Sequence, residues 1–115
     1  MKAKRGSDQV ARVAQMFSAM GSAPRVEILR LLLAAHPNGL VAGEIQAELK
    51  IPASTLSHHL DKLKSQGLVK VRRERQYLWY SADSQTLRGL LEFLFAECCT
   101  RNQVIAREEL ISICR

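Results

Sequence analysis

Apolar residues recur along most of this chain at spacings of three and four, the period of an α-helix with one buried face. From Asp8, a stripe of Val10, Val13, Ala14, Phe17 and Met20 predicts a first helix that ends at Gly21. Ser22 is a good N-cap, and Pro24 falls in a first helical turn, where its missing N–H costs least. Val26, Leu29, Leu32 and Leu33 then carry a second helix to about Ala35. His36-Pro37-Asn38-Gly39 reads as a turn. A short helix follows over about 42–49, with Ile45 and Leu49 one turn apart. Lys50-Ile51-Pro52 is a tight link into the next helix.

That next stretch, Ala53 to Gly67, has two unlike faces. Leu56, His59, Leu60 and Leu63 share one. Ser54, Thr55, Ser57, His58, Asp61, Lys62, Lys64 and Ser65 share the other, which is short, polar and rich in donors. Gly67 suits the left-handed position past a helix end. Two short helices joined by a tight turn, the second polar outside, form a helix-turn-helix. The outer face suits a duplex major groove, because base edges and phosphates offer acceptors to Ser, Thr, His and Lys.

At Leu68 the period changes. Val69 and Val71 alternate with Lys70 and Arg72, and Tyr77-Leu78-Trp79-Tyr80 is rich in strand-favouring residues. Strands are predicted over 68–73 and 76–81, with Arg73-Glu74-Arg75 at the tip. A two-stranded hairpin is marginal alone and must pack on the helices, so Trp79 or Tyr80 is expected as a core anchor. Asp83 or Ser84 then caps a helix over about 85–100. Leu87, Leu90, Leu91, Phe93, Leu94, Phe95, Cys98 and Cys99 cover most of its circumference. Such a helix needs burial on more than one side. In a chain of 115 residues the simplest burial is against its own copy, with the first helix as second layer. A weaker pattern of Val104, Ile105, Leu110 and Ile111 suggests a further short helix ending near Cys114.

Charge sharpens the picture. The chain has 17 basic and 11 acidic residues, formally +6. Lys2, Lys4 and Arg5 lie in the N-terminal tail; Lys62, Lys64, Lys70, Arg72, Arg73 and Arg75 lie on the polar helix and the hairpin after it. A positive field so placed is the footprint of a DNA-binding face rather than a generally basic surface. No signal peptide or apolar run of spanning length appears, since Ile28–Ala35 is short and interrupted by Arg30. A cytoplasmic protein without membrane contact is expected, and its three cysteines are then thiols or ligands rather than a disulfide framework.

The order of elements resembles the ArsR/SmtB family of winged helix-turn-helix metalloregulatory repressors. The likeness is carried by Gly21-Ser22-Ala23-Pro24-Arg25-Val26-Glu27-Ile28-Leu29, by Ser54-Thr55-Leu56-Ser57-His58-His59-Leu60, and by Gly67-Leu68-Val69 leading into an Arg-rich wing. It covers about residues 8–100. The resemblance implies a mainly α fold with a small β-hairpin, dimerising through the first and C-terminal helices. It implies a homodimer on palindromic operator DNA that represses without ligand and is released when metal binds. Ser54, Thr55, Ser57, His58 and Lys62 are the expected groove and phosphate contacts, with Arg72, Arg73 and Arg75 holding the wing to phosphates. Pro52 stands where members often have a capping Ser or Thr, a role Ser54 is expected to share. The organisation expected is a flexible basic tail over 1–7, the winged domain over 8–100 and a C-terminal extension over 101–115.

Most family metal sites have no counterpart. Val41-Ala42-Gly43 stands where a Cys-Val-Cys motif would lie, and residues 85–100 contain no histidine. What remains is Cys98, Cys99 and Cys114, which looks like the arsenic- and antimony-responsive subgroup with thiols at the C-terminal end. Soft thiolates select soft ions, and three of them suit trigonal-pyramidal As(III) or Sb(III) better than four-coordinate zinc. Adjacent cysteines on a helix point about 100° apart and can share an ion if the last turn opens, near Thr100–Asn102. Cys114 lies about 22 Å further on along a continuous helix, so a three-sulfur site needs an irregular tail or Cys114 from the partner subunit, which is favoured. The plainer alternative is that the cysteines only pack in a dimer core.

Other inputs on the same fold are thiol oxidation, although a disulfide between neighbours is strained, or Cd(II), Pb(II) or Hg(II). His59 faces inward, where a buried hydrogen bond is expected, and His58 faces outward. Neither has a cysteine or carboxylate at ligand spacing. No nucleophile–base pair, phosphate loop or carboxylate dyad supports an enzyme, and Asp61 and Glu74 read as local salt-bridge partners. A DNA-binding protein with no ligand at all would be indifferent to serine at the three cysteine positions.

Overall fold

A computed structural model describes residues 2–102, with side chains from residue 8 onward. The chain divides after Asp83 into two compact units. The first runs α1 (Lys2–Met20), α2 (Ala23–Ala34), β1 (Leu40–Val41), α3 (Ala42–Leu49), α4 (Ala53–Ser65), β2 (Val69–Glu74) and β3 (Tyr77–Ala82). The second holds α5 (Ser84–Phe95), followed by consecutive turns to Asn102. No described helix is long and apolar enough to cross a membrane.

α1 begins earlier than its apolar stripe. Residues 2–7, expected as a flexible tail, are its first turns. Its end and the start of α2 follow the residues that signal them. Gly21 N–H donates to Ser18 O at 3.1 Å, and Ser22, extended at φ −147°, accepts from Arg25 N–H on its hydroxyl at 3.4 Å. Pro24 lies in the first turn of α2.

The core of this unit is aliphatic. Ile28 and Leu32 of α2, Ile45 of α3, Leu56, Leu60 and Leu63 of α4, and Leu68 are fully buried. Burial of each such side chain contributes about 1.5–3 kcal/mol. α2 packs against α3, α4 and β3, and α1 against α2 and α4. The stripe predicted for α1 is turned slightly: Ala19 is its buried residue, Phe17 and Met20 are half-buried, and Val10 is 55% exposed.

The hairpin belongs to a three-stranded antiparallel sheet of order β1-β3-β2. Its added strand, β1, pairs Leu40 with Tyr80 and Val41 with Trp79. Two residues are too few to show alternation, so the pattern gave only a turn there. The hairpin register runs from Val69 opposite Ala82 to Glu74 opposite Tyr77. The turn is therefore Arg75-Gln76, with Arg75 in the left-handed region at φ 60°. Trp79 and Tyr80, expected as core anchors, are only half-buried; the buried strand residues are Val69, Ser81 and Ala82.

α5 is shorter than expected and stops at Phe95. Leu90 is buried, whereas Leu91 and Leu94 are exposed, the latter by 58%. Cys98 and Cys99 consequently lie in the turns after the helix rather than in its last turn. Most of the extension beyond residue 100, with Cys114 and its expected helix, lies outside the described residues.

Candidate nucleic-acid interface and thiol pair

α4 is held at both ends by main-chain geometry. At its start Pro52 is the N-cap, with Leu56 N–H donating to Pro52 O at 3.0 Å. No side chain caps it, so Ser54 does not take the role expected of it. The link before it is tight because Lys50 turns into the left-handed region at φ 55° and donates its N–H to Gln46 O at 2.8 Å. At the far end, Gly67 at φ 74° donates to Lys64 O and Leu68 donates to Leu63 O, both at 3.0 Å. This is the Schellman arrangement, completed by the buried Leu63 and Leu68 side chains. It ends the helix and aims the chain into β2 within two residues.

With its apolar face committed to the core, α4 leaves Ser54, Thr55, Ser57, His58, Asp61, Lys62 and Lys64 exposed on one side. The five residues expected to meet DNA from this helix are therefore together on an open face. Ser65 is also exposed but its hydroxyl donates back to Lys62 O at 2.8 Å.

His59 is half-buried, and its Nδ1 lies 3.2 Å from Nη1 of Arg25, which also donates through Nε to Ala19 O. The guanidinium can only donate, so Nδ1 is the acceptor and the ring is neutral. Burial first, then the charges of Arg25 and His58, hold the His59 pKa below its ordinary value of 6.5. Arg25 is a structural partner that the apolar periodicity does not reveal.

The wing arginines are not equivalent. Arg73, in the outer part of β2, and Arg75, in the turn, are exposed. Arg72 is turned onto its own chain: Nη1 donates to Asn38 O at 2.8 Å, Nε meets Glu74 Oε2 at 3.2 Å, and the guanidinium lies 5.3 Å over the Trp79 ring. Glu74 is thus a local salt-bridge partner, as its position suggested.

Cys98 and Cys99 bring their sulfurs to 3.3 Å as free thiols. Cys99 takes φ 60°, which turns two neighbouring side chains toward each other where a helix would splay them. The hydrogen bond with Cys99, then burial, then the Cys99 charge push the Cys98 thiol pKa up. Among the described residues no third His, Cys, Asp or Glu joins the pair.

Known proteins share this fold. Residues 20–72 match a helix-turn-helix domain family. The transcriptional activator HlyU of Vibrio cholerae is 34% identical over 93 residues, covering 81% of this chain and 83% of that one. Its structure overlays with a TM-score of 0.64 at 33% identity, over 79% of this chain and 96% of that one. A transcriptional repressor SmtB homologue of Synechocystis is 37% identical over 81 residues, 70% of this chain and 59% of that one. The homodimeric winged helix-turn-helix DNA-binding domain Mb0332 of Mycobacterium bovis overlays with a TM-score of 0.63 at 27% identity, over 89% of this chain and 94% of that one. With overlays of this quality, and with a putative arsenical resistance operon repressor ArsR2 of Halobacterium salinarum 34% identical over 88 residues, 76% of this chain and 72% of that one, the chain belongs to the ArsR/SmtB family of winged helix-turn-helix transcriptional regulators.

Proposed function

We propose that this protein is a homodimeric repressor whose operator complex is dissolved when As(III) or Sb(III) binds the Cys98–Cys99 thiols, with Cys114 of the partner subunit as third ligand. The observation that carries the reading is the 3.3 Å approach of the two sulfurs. That separation is far longer than a disulfide, at about 2.05 Å, and short enough for both sulfurs to reach one ion. The exposed Leu91 and Leu94 of α5 and Val10 of α1 are the surfaces a second copy would cover. The α4 face lies in the major groove, and Arg73 and Arg75 meet phosphates.

The chemistry is a condensation. Arsenous acid, As(OH)3, exchanges an As–O bond for an As–S bond at each sulfur, two at the Cys98–Cys99 pair and a third at Cys114 of the partner subunit; each thiol proton leaves on a hydroxyl as water, and arsenic stays As(III). The raised pKa of Cys98 suits this, since the ligand brings its own base. It suits a peroxide sensor less, because oxidation proceeds through the thiolate.

Fluorescence anisotropy of the reduced protein on a duplex from upstream of its own coding sequence tests the reading, with arsenite, antimonite and zinc titrated in turn. Release by arsenite or antimonite, lost in Cys98→Ser and Cys99→Ser, is expected. The Cys114→Ser variant separates two ligands from three. Release by peroxide alone would install thiol oxidation as the input, and release by Cd(II), Pb(II) or Hg(II) alone a divalent ion. Tight DNA binding indifferent to every agent would end the sensor reading.

A further inference from the structure

The base of the wing is fixed, because β3 pairs with β1 through Leu40–Tyr80 and Val41–Trp79. β2 is the edge strand, joined to α4 through Gly67 and Leu68 and paired with β3 alone, and beyond Trp79 the two strands stand without a third. From Arg72 to Arg75 this outer part extends about 10 Å at about 3.3 Å per residue, so a tilt of about 15° carries the tip through about 2.5 Å. A guanidinium displaced that far no longer reaches a phosphate it was set to meet.

Arg72 holds the edge strand where the support of β1 ends, opposite Trp79. Its Nη1 donates to the carbonyl of Asn38, a residue of the loop between α2 and β1. That loop is itself fixed: Gly39 N–H donates to Ala35 O at 2.9 Å, and Gly39 is buried against the Tyr80 carbonyl at φ 81°. The bond is charge-assisted, the stronger class of hydrogen bond. Stacking on Trp79, its cross-strand partner, fixes the plane of the guanidinium. The contact to Glu74 adds little energy, since both side chains are largely exposed, but it occupies a further donor. In the alternation of β2, Arg73 points to the opposite face from Arg72 and stays available.

We infer that Arg72 is a positioning residue, bracing the wing against the α2–β1 loop so that Arg73 and Arg75 meet the DNA backbone while α4 lies in the groove. The inference rests on the reading of the wing as DNA-bound. A lysine in its place keeps the charge but has neither the fork nor the planar stack.

The test is operator affinity against salt, by anisotropy on the same upstream duplex, for Arg72→Lys, Arg72→Ala, Trp79→Leu and the Arg73→Ala/Arg75→Ala pair, with circular dichroism to verify folding. Arg72→Lys is expected to weaken binding as much as Arg72→Ala. It should also flatten the salt slope by about 1.8 per wing, the worth of two lost phosphates at about 0.9 each, although no charge was removed. Trp79→Leu, also neutral in charge, should do the same. In the Arg73→Ala/Arg75→Ala background the effect of Arg72→Lys should vanish, because the contacts it positions are gone. Wild-type affinity and slope in Arg72→Lys would overturn the inference and leave the wing contacts standing. So would a loss that persists undiminished in the double background. An Arg73→Ala/Arg75→Ala protein that binds like wild type would instead remove the wing from the DNA and overturn both readings.

Discussion

Nη1 of Arg25 and Nδ1 of His59 meet at 3.2 Å, and through them the first turn of α2 holds the middle of α4. The same guanidinium donates to Ala19 O at the end of α1, so one side chain ties three helices. The contact exists only while His59 is neutral, because a protonated Nδ1 is a donor facing a permanent cation.

Stability should therefore depend on pH in one direction. The His59 pKa is depressed in the folded state, so the unfolded chain binds the proton more readily. The contribution is whole above the ordinary value of 6.5 and declines as the pH falls from there through the folded value. Urea midpoints measured between pH 5 and 8 should fall on the acid side. His59→Gln, which cannot titrate, should be less dependent on pH over that interval. An identical pH profile in the two proteins would show that His59 is not the linked group.

Two glycines share a left-handed backbone but not a fate. At Gly39, φ is 81° and a Cβ would lie 2.0 Å from the carbonyl oxygen of Tyr80, a main-chain atom of the central strand that cannot swing aside. At Gly67, φ is 74° and a Cβ would meet nothing within 4 Å. Gly67→Ala should cost only the left-handed penalty of about 1–2 kcal/mol. Gly39→Ala should cost about 4 kcal/mol or more, in the range kept for severe backbone conflicts. Chemical denaturation of the two variants checks this; comparable losses would mean that the contact with Tyr80 is relieved by a small shift of the loop.

These glycines also mark what the sequence discloses. Gly67 was legible because its role is local, a helix end read from the residues before it. Gly39 was legible only as a turn; its contact with Tyr80 depends on a strand pairing far along the chain. The helices were legible for the first reason, down to the Ser22 cap and the Leu56, Leu60 and Leu63 face. β1 was not, because two residues carry no period. The end of α5 was misplaced for a related cause: the apolar pattern runs on through Cys98 and Cys99, and composition cannot show that Cys99 turns left-handed. In the sequence Arg72 is indistinguishable from the other wing arginines. Only the folded loop brings the Asn38 carbonyl to it.

On the exposed face of α4, charge and hydrogen bonding make separable predictions. On the proposed docking of α4, Lys62→Ala removes a phosphate contact, so binding should weaken on every duplex and the salt slope should flatten by about 0.9 per subunit. Ser57→Ala removes a hydroxyl and no charge. Its loss should leave the salt slope as it is and reduce the preference for the operator over a scrambled duplex, by about 0.5–1.5 kcal/mol if the hydroxyl reads a base edge. Anisotropy titrations on both duplexes at several salt concentrations distinguish the two, and an equal loss for Ser57→Ala on both would place that serine on the backbone.

The thiol pair makes a prediction about protons that divides the candidate inducers. Each thiol that condenses with As(OH)3 releases one water and no net proton, so arsenite affinity should be nearly flat with pH in the neutral range. A divalent ion brings no base. Capturing Cd(II) or Pb(II) between the same sulfurs expels both protons, and affinity should rise by up to about tenfold per proton for each pH unit while the thiols remain protonated. The raised Cys98 pKa keeps that regime in force at Cys98 through neutrality. Calorimetric titrations of the reduced protein at pH 6.5, 7.0 and 7.5, each in two buffers of different ionisation enthalpy, count the protons directly. Flat arsenite binding beside steep cadmium binding is the expected result. At the lower pH the pair would then select the neutral metalloid over the divalent ion. Arsenite binding that steepens like cadmium would show that the ligand is not exchanging its own hydroxyls at these sulfurs, and the thiol pair would lose its claim to be the sensor.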